Sequence, residues 1–179
     1  MLIRRSLLPL ALALLIWQPA LAQVQMSYYD VQGADYNALL GALNSHGPCH
    51  GRADWKISYK YQSRKEAGGC KVSSLTIDLE LLMTLPRWTP PAGASADLVS
   101  RWERYIAALR VHEDGHLDHG RNAAREFQTV SGSAAAADCG ALDGALRQRF
   151  ARLIADYQAR DRAYDARTEH GKTQGAWFR

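Results

Sequence analysis

His112-Glu113-Asp114-Gly115-His116 is the stretch whose residue types and spacing best match a chemical device, the H-E-x-x-H pattern. On an α-helix, residues four apart lie one above the other on one face, so both imidazoles can reach a single Zn²⁺ at about 2.0 to 2.1 Å. Glu113 is rotated off that line yet stays close enough to take a proton from a water that the metal acidifies. It is the expected general base. With six His and six Glu in 179 residues, chance supplies roughly 0.007 such matches, so the pattern is informative. The bland alternative is a set of polar residues on an amphipathic helix. It would strand two imidazoles and a carboxyl in an apolar stripe without partners, at a considerable cost in free energy.

The elements that must position this motif are legible from hydrophobic spacing. Leu98, Trp102, Tyr105, Ile106, Leu109, His112, Glu113, His116, Ala123 and Phe127 form one stripe of a long helix starting near Asp97. Leu142, Leu146, Phe150, Leu153, Ile154 and Tyr157 form a second, and the turn between them, Gly132 to Gly140, predicts an antiparallel helix hairpin. Ahead of it, Met26 to Val31 is a short β-prone run, and Asp35 opens a short helix carrying Tyr36, Leu39, Leu40 and Leu43. Trp55, Ile57, Tyr59 and Tyr61 alternate with polar residues, as do Leu75, Ile77, Leu79 and Leu81, with Gly68-Gly69 between the two runs and Pro86 closing the second. The expected fold is therefore α+β and zincin-like, a small antiparallel sheet and one short helix packed on a long two-helix hairpin. Gly115 costs about 1 kcal/mol relative to alanine inside a helix, which points either to a ligand close to the backbone or to a packing contact with the return helix. Asp114, Asp118 and Arg121 read as a solvated face.

A third metal ligand must come from elsewhere. Glu126 lies on the same helix, about 15 Å along it from His116, and cannot close the site. His119 is about 10 Å along the axis from His112, too far for one ion to bind all three histidines. If the hairpin turns near residue 135 or 136, facing positions sum to about 271, which sets His112 level with 159 and His116 with 155. The glycine-flanked tail can then bring His170 back to the site, and His170 is the favoured ligand. Asp165, near the end of the return helix, is the rival, as a direct ligand or as a carboxylate orienting a ligand histidine.

Residues 1–22 carry Arg4-Arg5, an apolar run from Leu7 to Trp17, and Ala20-Leu21-Ala22. They read as a cleavable secretory signal peptide, leaving residues 23–179 as one domain. The apolar run is about half the length needed to span a bilayer, so no stable membrane anchor is expected. The chain has 22 basic and 18 acidic side chains; without Arg4 and Arg5 the excess is 20 − 18, or +2, with no block of like charges. That weighs against a nucleic-acid binder. Export to a secreted or periplasmic location lets Cys49, Cys70 and Cys139 oxidise, and three pairings are open.

His112-Glu-Asp-Gly-His116, together with Trp102, Leu85-Pro86-Arg87-Trp88 and the stretch from Tyr164-Asp165 to Gly175-Ala176, resembles a bacterial family of predicted secreted zinc-dependent proteases, a domain otherwise of unknown function. The resemblance spans essentially the whole mature chain and implies a zinc site. It also selects Cys70 and Cys139 as the bonded pair, both at ends of predicted elements, and leaves Cys49 as an addition. The longer pattern H-E-x-x-H-x-x-G-x-x-H does not fit, because this chain has His119 and Asn122 where Gly and His are required. The expected function is zinc-dependent hydrolysis of peptide or protein substrates, with Tyr164 as a candidate oxyanion donor. A cell-wall peptide hydrolase with the same site, or a zinc-stabilised binding protein without catalysis, are the alternatives.

Overall fold

The computed structural model describes residues 22–179, so all but the last residue of the expected signal peptide lies outside the described part. The chain runs through β1 (Val24–Val31), α1 (Tyr36–Asn44), β2 (Arg52–Glu66), β3 (Gly69–Trp88), α2 (Ala96–Ser131), β4 (Ala135–Ala136) and α3 (Cys139–Thr168), then a short 3₁₀ turn, Lys172–Gln174. The fold is α+β, with a four-stranded sheet and three helices. Asp35 caps α1, its side chain accepting from the Ala38 N–H at 2.9 Å. Ser95 and Asp138 do the same for α2 and α3.

The sheet is mixed, whereas the sequence suggests an antiparallel one. β2 and β3 form the expected antiparallel hairpin, but β1 runs parallel to β3, with Val24 opposite Leu81 and Val31 opposite Trp88. Alternation identifies a strand and its buried face without naming its partner. Here β3 is the central strand, and the backbone N–H and C=O groups along its other edge, from Leu81 to Trp88, find their partners in β1. β3 also continues through Pro86 to Trp88. The proline is tolerated because β2 pairing ends at Thr84 and only β1 flanks the strand beyond it.

α2 lies across the sheet. Leu98, Trp102, Tyr105, Leu109 and Leu117 pack with the buried half of β3 and with Leu39 and Leu43 of α1. Farther along, Ala123 and Phe127 meet Ile57 of β2 and Leu153 and Tyr157 of α3. A third cluster, Val72, Leu142 and Leu146, surrounds the Cys70–Cys139 disulfide that joins the start of β3 to the start of α3. β4 pairs with β3 beside it, Ala136 opposite Cys70. This bridge closes a loop of 69 residues. The double variant Cys70→Ser with Cys139→Ser is expected to lose about 2 to 4 kcal/mol of stability in urea unfolding under oxidising conditions. Cys49→Ser should change it by less than about 0.5 kcal/mol, because that thiol is exposed and unbonded.

Because the bridge and β4 anchor its first turns to the sheet, α3 begins beyond the end of α2. Phe127 packs on Phe150 with ring centroids 5.1 Å apart, so facing positions sum to 127 + 150, or 277, and not to about 271. Opposite the metal motif, this brings up the Asp161 to Asp165 stretch.

Candidate metal centre

His112 and Glu113 occupy core-facing positions of α2 and are 3% and 5% exposed. From α3, Asp165 sends one carboxylate oxygen between the two imidazoles: Oδ1 is 3.2 Å from His112 Nε2 and 3.0 Å from His116 Nε2. These three donors lie within 4.8 Å of one another. The other ring nitrogens are held from behind. His112 Nδ1 meets Gln174 Oε1 at 2.9 Å and His116 Nδ1 meets Asp161 Oδ1 at 3.0 Å.

The ring contacts of this cluster are those of a metal-ligand set. Each imidazole has an oxygen against both nitrogens, so without a metal the protons between the two Nε2 atoms and the single Asp165 oxygen must be shared among the three groups. The ring centroids are 4.9 Å apart, and burial holds His112 below the ordinary histidine range, Gln174 and Asp165 opposing. Burial would also lower His116, but the hydrogen bond to Asp161 and the charge of Asp165 outweigh it. A divalent ion would take the place of those shared protons. Two imidazoles and a carboxylate, with both Nδ1–H groups tied to outer acceptors, make a donor set suited to zinc.

Asp161 is the hub of the outer layer. It accepts from His116 and His119 on α2 and from Trp55 Nε1–H on β2, the last at 2.7 Å. These hydrogen bonds overcome its burial and hold its carboxyl below the ordinary range. A second potential donor group, His116, His119 and Asp161, shares His116 with the first. His119 therefore belongs to the scaffold of the site. The tail supplies the other support. Glu169, His170 and Gly171 all take left-handed backbone angles (φ 50, 53 and 83), and a Cβ at Gly171 would fall 2.8 Å from His112 Cγ. This turn lays the backbone against the ligand ring and delivers Gln174 to it.

Tyr164 stacks on the His112 ring at 5.0 Å. Its hydroxyl meets Gln174 and the His112 carbonyl, so it braces the ligand ring. The same hydroxyl explains Gly115, where an added Cβ would collide with it. Gly115→Ala is accordingly expected to destabilise the protein by about 1 to 3 kcal/mol, overpacking winning over the roughly 1 kcal/mol gain in helix propensity. Thermal unfolding of the variant beside Gly115→Ala combined with Tyr164→Phe checks this. Loss of the hydroxyl should return part of the difference.

Glu113 is not among the donors. Burial pushes its carboxyl up to about 7, His116 opposing and Asp165 and Asp54 adding to the rise. Its carboxylate presses on the backbone of Gly51, where a side chain would have no room. His112, Glu113, His116 and Asp165 open onto a cleft of about 720 Å³. His170 lies at its edge, 60% exposed, with Nδ1 3.5 Å from Asp165 Oδ1. The predicted residues His112, Glu113 and His116 thus come together with Asp165, and His170 stands one contact farther out.

The family described as "Bacterial protein of unknown function (DUF922)" matches residues 26–171. The chain belongs to this family. The match covers both helices of the hairpin, Asp165 and His170, and the description of the family assigns no activity. No curated protein and no solved structure matches the chain. Two features of the site were missed by sequence reasoning. Asp161 carries no motif, and its contacts with Trp55 and His119 exist only in the folded chain. Gln174 lies among the tail residues that carry the resemblance, but nothing there singles out the residue that meets His112.

Proposed function

We propose that this protein is a zinc-dependent metallopeptidase, exported by residues 1–22 and acting outside the cytoplasm, with His112, His116 and Asp165 holding the metal and Glu113 as general base. The observation that carries this reading is the convergence of three donors from two helices beside a buried carboxyl that does not join them, all facing one cleft. When bound, zinc would polarise a scissile carbonyl and acidify a water. Glu113, buried beside the donors without joining them, would take a proton from the attacking water and hand it to the leaving amine. Asp161 and Gln174 hold the two imidazoles in the tautomer whose Nε2 atoms face Asp165. Leu40, Leu109 and Phe178 give the cleft an apolar wall that fits a substrate side chain.

Arg162 and Lys172 also line the cleft. They share that lining with the carboxylates of Glu113, Asp161 and Asp165; a hydrolase of cell-wall peptides with the same site is the narrower reading. Among the described residues no helix is long and apolar enough to cross a membrane.

The test is zinc content of the purified mature protein measured beside hydrolysis of casein and of purified peptidoglycan. We expect one zinc per chain, loss of hydrolysis on removal by a chelator, and recovery with Zn²⁺. Full zinc occupancy with neither substrate cleaved would turn the reading to a zinc-stabilised binding protein whose coordination is closed by protein groups.

A further inference from the structure

The cleft that holds the metal donors is also lined by His50, a residue the scheme above does not use. We infer that His50 is a further catalytic residue, its Nε2–H donating to the substrate carbonyl oxygen as negative charge develops there; this rests on the peptidase reading.

Three observations converge on His50. Its position is set by Gly51, whose backbone lies directly against the Glu113 carboxylate, so the next residue up the chain enters the cleft within one peptide unit of the general base. Its ring is fixed from behind, since Nδ1 is 2.7 Å from the hydroxyl of Tyr105, a residue of α2 that is only 2% exposed. Its main chain is also held, because the Tyr29 hydroxyl donates to the His50 carbonyl at 2.8 Å. Tyr105 decides the tautomer. Among the described residues its buried hydroxyl has no other acceptor than His50 Nδ1, so Nδ1 accepts and the proton of the ring sits on Nε2. Burial together with His46 keeps the imidazole below the ordinary histidine range, so at neutral pH it is an uncharged donor.

That Nε2–H has a weak partner, the exposed side chain of Asn44 at 3.3 Å, which also lines the cleft. A substrate oxygen can replace such a partner at little cost, and a preorganised donor of this kind is worth roughly 10²- to 10³-fold in rate when aimed at a developing oxyanion. A purely structural role for His50 would need only Nδ1. Tyr105 would then be satisfied and the loop held whatever occupied the Nε2 position.

The two roles separate on substitution. His50→Asn places a side-chain atom near Nδ1, preserves the contact with Tyr105 and removes the donor toward the cleft. His50→Gln reaches the Nε2 position with an amide N–H. The probe is a phosphinic tripeptide with phenylalanine and alanine side chains flanking the PO₂–CH₂ group, suited to the wall of Leu40, Leu109 and Phe178, and its affinity for the zinc-loaded protein is read by calorimetry. We expect His50→Asn to keep its zinc stoichiometry and melting temperature while binding the probe about 100-fold more weakly, and His50→Gln to come within about tenfold of wild type. On any peptide that wild type cleaves, kcat should fall in parallel with KM little changed. Equal probe affinity in wild type and His50→Asn overturns the inference and leaves the peptidase reading intact. Failure of zinc-loaded wild type to bind the probe overturns both.

Discussion

Glu113→Gln is expected to retain zinc at full stoichiometry while hydrolysis falls roughly 10²- to 10⁴-fold. The variant keeps the volume and the hydrogen-bonding reach of the side chain, and the site demands both, since Glu113 is 5% exposed and pressed against Gly51. What it removes is the ability to take up a proton. Because Glu113 stands outside the donor group of His112, His116 and Asp165, metal binding has no reason to change. Zinc content and initial rates on casein, measured on the same preparation, decide the matter. Full activity in the variant would remove Glu113 from the mechanism, and loss of zinc would make it a ligand.

Asp165→Ala is expected to weaken zinc binding by about 10² to 10³, and His170→Ala by less than about tenfold. Structural zinc sites gain about 10 to 16 kcal/mol from four ligands, or roughly 2.5 to 4 kcal/mol for each. Asp165 qualifies for such a share because one oxygen lies 3.0 to 3.2 Å from both Nε2 atoms. His170 reaches only Asp165, at 3.5 Å, from an exposed position. Competition with a chromophoric chelator gives both affinities. The reverse ranking would move the third ligand to His170, which would require the tail to swing inward and Asp165 to serve from the outer layer.

Local spacing made much of this legible. The alternation of Trp55 to Tyr61 and of Leu75 to Leu81 marks the hairpin, and the stripe from Leu98 to Phe127 marks the helix that carries the motif. The parallel partner of β1 was not legible, because strand order is decided by contacts distant in sequence. The third donor failed by a definite amount. Taking the turn as symmetrical about residue 135 set His112 level with 159, whereas the fold brings it to 165, since 112 + 165 is again 277. The six-residue shift arises because the Cys139 bridge and the pairing of β4 carry the start of α3 past the end of α2, by about 10 Å at 1.5 Å per residue. Periodicity reports which face of a helix is buried. It is silent on how far one helix slides along another.

The same bridge ties two chemistries that look unrelated. Asp165 closes the donor set only while α3 is docked, and the docking of α3 is restrained at its first residue by the sulfur link to β3. Any equilibrium between docked and undocked α3 therefore enters zinc affinity and thiol oxidation alike. By thermodynamic reciprocity, whatever factor the intact disulfide adds to metal affinity is the factor by which bound metal protects the disulfide from reductant. Redox state and metal loading would then be two readings of one folding event, so that a chain kept reduced is also held back from its metal.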